Sequence, residues 1–183
     1  MLYYTNTCPM NKMKRLFNTI WYLAIFFLIF NVSESKGQQK KMSDKDLTDE
    51  STAILYGRCS KKSCAWDENH RIIYTYVTIV PEEYLKGNLG TEAVVAVPGG
   101  QVGDIIYEVS EMPFFTEGEE VIAFVWKNPS GRNLVTGGSQ GKMKIEKDIK
   151  TGRRMVKTKD TDSETNGEIL ENFVAKVKGY MKH

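Results

Sequence analysis

Two cysteines, Cys59 and Cys64, lie close together in the chain, with His70, Asp67 and Glu68 just downstream. Such a set serves three chemistries. Thiols flanking a four-residue gap can close a disulfide at the end of a strand. Thiolates, an imidazole and a carboxylate can hold a metal. A thiol beside a histidine can act as an activated nucleophile. A structural zinc site uses four ligands with cysteines at spacings such as C-x-x-C, and only one loose cluster is present here. Neither C-x-x-C nor H-E-x-x-H occurs. We therefore expect a Cys59–Cys64 disulfide, no cofactor and no enzymatic activity. The alternative is a metal or thiol protein centred on Cys59, Cys64 and His70.

Carboxylates cluster at Glu82-Glu83 and at Glu117, Glu119 and Glu120. Paired acids serve glycoside hydrolysis or calcium binding, but neither stretch has the spacing of a calcium loop. They read as solvated turn acids. The run Gly137-Gly138-Ser139-Gln140-Gly141 lacks G-K-[ST], and an alternating strand pattern follows it. A phosphate cradle would draw on a helix N-terminus there, so the run reads as a sharp corner. The segment Lys142–Lys159 is basic but has no Phe, Tyr or Trp. Single-stranded nucleic acid is held by basic grooves with interleaved aromatics, so nucleic acid is not an expected partner. A solvated hairpin face, or a docking patch through Lys142, Lys144, Arg153 and Arg154, remains. Pro113-Phe114-Phe115 either caps an open barrel end or anchors a partner. Trp126, closing an apolar run, is expected in the core.

The N-terminus sets the compartment. Lys12, Lys14 and Arg15 precede an uncharged apolar run from Ile20 to Phe30, and small residues at Val32-Ser33-Glu34-Ser35 follow. This is the layout of a secretory signal peptide, expected over residues 1–35. The run is shorter than the roughly 20 residues of a spanning helix, so membrane association is expected only if the segment is retained. Cys8 would leave with the signal, and the oxidising compartment suits a disulfide. The formal net charge of +2 points to no strongly charged partner.

The elements that must position these groups are mostly strands. Residues 36–52 are polar and read as a linker, with one short helical turn near Leu47. Ala53–Cys59 is a first strand, and Ser60–His70 a polar connection. Arg71–Val80 alternates β-branched and aromatic residues and should be a central strand, ended by Pro81. Further strands are expected at Glu92–Val97, Asp104–Ser110, Glu120–Trp126, Arg132–Thr136, Lys142–Lys147 and Arg154–Lys157. Ile169, Leu170, Phe173, Val174 and Val177 fall at helical spacing over Glu168–Tyr180. Short strands between turn signals and one closing helix indicate an all-β fold: a small OB-like Greek-key barrel over residues 53–158, with residues 159–183 forming a loop and a helix packed on it.

The order of several short motifs carries a resemblance. They are Gly57-Arg58-Cys59, Tyr74-Thr75, Leu85-Lys86-Gly87, Val97-Pro98-Gly99-Gly100, Pro113-x-Phe115-x-x-Gly118-Glu119-Glu120 and Gln140-Gly141-Lys142-Met143. Over Ile54–Ile145 the chain resembles a family of small exported bacterial β-barrel proteins, mostly uncharacterised. Their architecture is similar to the OB-like barrel of netrin-type and tissue metalloprotease-inhibitor domains. Those inhibitors chelate zinc through a cysteine at the mature N-terminus. Here the first retained cysteine lies about two dozen residues inside the expected mature chain, so that mechanism does not transfer. The resemblance implies a periplasmic or secreted module. Its expected partner is another exported or envelope protein, with a polysaccharide as the other candidate and protease inhibition as a reading by fold analogy.

Overall fold

A computed structural model describes residues 40–157 and 167–182. The expected signal segment, and the polar loop from 158 to 166, lie outside the described residues. Ten strands and two helices follow in order: α1 (Asp44–Glu50), β1 (Ala53–Trp66), β2 (Ile73–Lys86), β3 (Ala93–Pro98), β4 (Gly100–Val102), β5 (Ile105–Tyr107), β6 (Glu120–Lys127), β7 (Asn133–Val135), β8 (Lys142–Lys147), β9 (Arg154–Lys157), β10 (Glu168–Ile169) and α2 (Leu170–Tyr180). A 3-10 helix occupies Gly138–Gly141.

Five strands close a barrel. The hydrogen-bonded order is β1-β2-β3-β7-β6, and β6 returns to pair with β1. The β3–β7 pair is parallel, with Ala96 opposite Leu134, and the other barrel pairs are antiparallel. Counting barrel strands alone, the third neighbours the fifth and the fourth returns to the first, which is a Greek-key closure. β8, β9 and β10 continue the sheet outward from β6.

Alternation divides the apolar residues into two cores. Leu55, Cys59, Val77, Ile79, Val95, Val121, Ala123 and Val125 fill the barrel with Phe115. Ile54, Tyr56, Ile122 and Phe124 point outward from β1 and β6. There they meet Leu47 of α1, Met143 and Ile145 of β8, and Leu170, Phe173 and Val177 of α2. β1 and β6 are therefore apolar on both faces because each wall residue has a core on its own side. β2 differs: Val77 and Ile79 face inward, while Val80 on the outer face is exposed.

Four elements depart from their expected bounds. The linker carries α1, built on a reciprocal capping box between Ser43 and Asp46 and pinned by buried Leu47. β1 does not stop at Cys59 but runs to Trp66, paired with β2 along its length. β2 does not stop at Pro81. The proline lies opposite Gly57 at a register shift, a bulge where no ladder N–H is demanded. A Cβ on Gly57 would lie 2.2 Å from the Val80 carbonyl oxygen, so the two strands approach there only through glycine. The expected strand Asp104–Ser110 is also shorter. It becomes β5, paired with β4 in a separate two-stranded sheet.

Phe124 and Phe173 meet edge to face, their ring centroids 6.5 Å apart. Phe173→Ala should lower unfolding stability by about 3–5 kcal/mol in denaturant titrations, because both rings lose a buried partner. A loss below about 1 kcal/mol would mean that α2 is not part of the cooperative unit.

Candidate functional site

The cysteine cluster is dismantled by the strand that carries it. Cys59 and Cys64 both lie on β1, and a strand rises about 3.3 Å per residue. Their Cα atoms are thus on the order of 16 Å apart, well beyond the roughly 7 Å a disulfide can bridge. Both are free thiols, which corrects the expected disulfide. Cys59 is fully buried in the barrel core, and burial, with Glu119 adding to it, pushes its thiol up to about 12. Cys64 is exposed, its Sγ 3.4 Å from the Thr75 hydroxyl. His70 sits in a turn at φ 54° and stacks on Trp66. Among the described residues no group of three His, Cys, Asp or Glu side chains could hold a metal. Cys59, Cys64 and His70 thus share no site.

The acids act as ties between elements. Arg154 donates to both oxygens of Glu82, at 3.0 and 2.7 Å. Glu83 accepts from Lys178 at 2.6 Å and from the Tyr56 hydroxyl at 3.0 Å, so Lys178 first and Tyr56 second hold its carboxyl below the usual range. These contacts connect β2 to β9 and α2. They also account for much of the basic hairpin: Lys144 pairs with Glu146, while Lys142 pairs with Glu119 at 2.7 Å and donates to the Phe114 carbonyl at 2.6 Å. Lys142 and Glu119 are mostly buried, so they support the Phe114 segment from beneath. Arg153 is exposed.

The glycine run has a second spelling that a reading of it as a corner passes over: Gly137–Gly141 is G-x-S-x-G around Ser139. A nucleophile elbow places its serine between a strand and a helix, with a histidine base. Here Ser139 is buried in a 3-10 helix that leads into β8. Its backbone N–H donates to the Glu111 carbonyl, and its hydroxyl lies 3.5 Å from the Glu111 carboxylate. The corner reading describes the geometry, since a Cβ on Gly141 would fall 1.9 Å from the Thr136 carbonyl oxygen.

The fold also presents apolar side chains outward. Pro113 and Phe115 turn in, and Phe115 plugs the barrel at 2% exposure, whereas Phe114 turns out at 75%. The segment thus both caps the barrel and projects an aromatic ring. Lys62 Nζ lies 4.4 Å from the Phe114 ring centroid, and Lys142 Nζ 4.9 Å from that of Phe115. Trp126, expected in the core, is exposed near the end of β6: it is still paired with Leu134 of β7, but alternation places it on the outer face with Ile122 and Phe124, and it is not among the residues of the second core. The β4–β5 hairpin exposes Ile105, Ile106 and Tyr107. Its base is held by Gly100, which sits so close to Thr75 Oγ1 and Cys64 Sγ that a Cβ would lie 2.7 and 2.8 Å from them. Against known proteins, no family model and no curated protein matches this chain.

Two outcomes follow for the thiols. Alkylation of the native protein near pH 8 should label Cys64 at once and Cys59 only in denaturant, with or without reductant, as mapped by peptide mass. Reductant-dependent labelling of both would restore the disulfide. Because the thiol of Cys59 is raised in the fold, the unfolded chain loses that proton first as pH increases. Stability should therefore fall between the thiol's ordinary 9.0 and about 12. Cys59→Ala should flatten that part of the slope in denaturant titrations; an unchanged slope would show that other groups set it.

Proposed function

We propose that the protein is an exported, non-enzymatic binding or accessory module that contacts another envelope or secreted protein. The observation that carries this reading is the outward placement of Phe114 and of the consecutive Ile105, Ile106 and Tyr107; the other exposed large apolar side chains among the described residues, Val80, Val94, Trp126 and Ile149, do not follow one another in the chain. Exposed aromatic and aliphatic anchors on rigid supports are the usual centres of protein contact surfaces. The signal-like N-terminus and the resemblance to small exported barrels support the export half. Glu82, Glu83, Glu119 and Lys142 tie elements of the fold together and so hold the scaffold that carries these anchors. In this reading the contact surface of Pro113–Phe115 keeps Phe114 as its anchor. Lys142 supports that loop, Lys144 and Arg154 are engaged by carboxylates, and Arg153 is exposed in the β8–β9 turn.

A photo-cross-linking residue at position 106, in the chain expressed in its native cells, should give one dominant adduct with an exported protein. The same residue at Lys150 should give none. Adding Phe114→Ser should weaken the adduct while leaving unfolding stability within about 0.5 kcal/mol. Phe115→Ala, by contrast, should cost about 3–5 kcal/mol. A chain that is neither exported nor cross-linked would overturn the proposal.

A further inference from the structure

The β4–β5 hairpin has an unused edge. Val102 and Ile105 flank the two-residue turn Gly103-Asp104, with Gly103 at φ 59°. In such a hairpin the residues next to the turn exchange both hydrogen bonds, and bonded pairs then alternate with non-bonded ones. Val102–Ile105 and Gly100–Tyr107 are thus the bonded pairs. The N–H and C=O of Ile106, opposite Gln101, point away from β4. No other strand among the described residues pairs with β5.

Exposed strand edges are ordinarily guarded, and this molecule guards another of its own. Beyond Cys59, β1 loses β6 as a neighbour, and there it carries Ser60, Lys61, Lys62 and Ser63. The Lys62 N–H is capped by the Glu117 carboxylate at 2.8 Å. β5 has no lysine, no proline and no cap. Its residues are Ile105, Ile106 and Tyr107, with Ile106 64% exposed. Asp104 precedes them and Glu108 follows; both are exposed, and neither is paired with a cation among the described residues.

We propose that the free edge of β5 binds an extended segment of a partner protein as an added antiparallel strand, and that the segment is apolar at its centre and flanked by Lys or Arg. The inference rests on the binding-module reading and names its mode. Charge complementarity selects the occupant. An antiparallel strand centred on Ile106 places its ends opposite Asp104 and Glu108, so basic flanks pair favourably and acidic flanks repel. A second copy of β5 is disfavoured on the same ground, since Asp104 of one chain would face Glu108 of the other. Main-chain bonds supply affinity and the side chains on either face supply selection, as in other strand-addition complexes.

The test uses the full-length chain and three synthetic peptides: Arg-Val-Ile-Val-Arg, the same peptide N-methylated at the central residue, and Glu-Val-Ile-Val-Glu. Titration followed by amide chemical shifts and hydrogen exchange should show the arginine peptide binding and slowing exchange at Ile106. The glutamate peptide should bind about three- to tenfold more weakly, from two cross-strand charge pairs. The N-methylated peptide should lose most of the binding. The variant D104K/E108K should reverse the charge preference. Ile106→Pro, which removes an outward N–H and no β4 bond, should abolish binding with the hairpin's other amide shifts retained. Equal binding of all three peptides, no binding of the arginine peptide at millimolar concentration, or concentration-dependent dimerisation lost in Ile106→Pro would each overturn the inference. A cross-linked partner that still binds Ile106→Pro would overturn strand addition alone. Absence of any cross-linked partner would remove the binding-module reading itself.

Discussion

The structure depends on the double pairing of β1. Along Ile54–Arg58 this strand is bonded to β2 on one side and to β6 on the other, and that second ladder closes the ring. A strand of fourteen residues cannot follow a tight barrel wall without bending, and the register shifts near Gly57 and Cys59 supply the bends. At the first, Gly57 passes the Val80 carbonyl at a distance that leaves no room for a side chain. Past the second, β1 parts from β6, whose ladder with it ends at Arg58 opposite Glu120. The backbone of Gly118 and Glu119 continues the pairing only at Cys59. The remainder of β1 stands at the barrel's end as one wall of the surface that bears Cys64 and the β4–β5 hairpin.

Closure also dictates the second core. Once β1 and β6 are both in the ring, their outward faces carry Ile54, Tyr56, Ile122 and Phe124, and this apolar area needs its own cover. α1 and α2 supply it from opposite ends of the described chain, while β8 to β10 extend the sheet beneath α2. The ion pairs lie around this cover. Lys176 of α2 reaches Asp44 of α1 at 2.9 Å, Lys178 reaches Glu83, and Arg154 reaches Glu82. Each is partly exposed, so their contribution is modest and lies mainly in fixing orientation.

The alternating runs made most strands and the closing helix legible, because β6, β8, β9 and α2 are spelled by local periodicity that the tertiary structure does not overrule. The misreadings have particular causes. Pro81 breaks a flat strand, and only the partner strand reveals that it sits at a bulge. Cys59 and Cys64 look like a pair when Ser60–His70 is taken as a loop; continuing β1 by seven residues separates them. The polar composition of residues 36–52 showed only a short helical turn near Leu47; that it is the two-turn α1 depends on the apolar surface that β1 and β6 offer Leu47. Ser139 within G-x-S-x-G is cancelled by context, since it lies in a 3-10 helix leading into a strand and, among the described residues, no histidine is bonded to it. The candidate surface was half visible: Pro113–Phe115 stood out by composition, whereas Ile105–Tyr107 read only as part of one more strand, Asp104–Ser110. Whether a short apolar run is buried depends on how many neighbours its strand finds, and no local pattern encodes that number.

The edge of β1 beyond Cys59 and the edge of β5 in its separate two-stranded sheet carry different residues. On β1 the lysines and the Glu117 cap make strand addition costly, which keeps a long edge soluble. On β5 the edge is short, apolar and preformed, with its base anchored where Thr75 donates to the Gly99 carbonyl at 2.7 Å and Gly100 packs on Cys64. A three-residue edge is too short to template extensive aggregation but long enough to orient a partner strand. Since the hairpin is already ordered, a partner would meet little of the ordering cost that weakens association with flexible loops. Of these two edges, the long one is guarded and the short one is open, so under the proposed mode it is β5 that receives a partner strand.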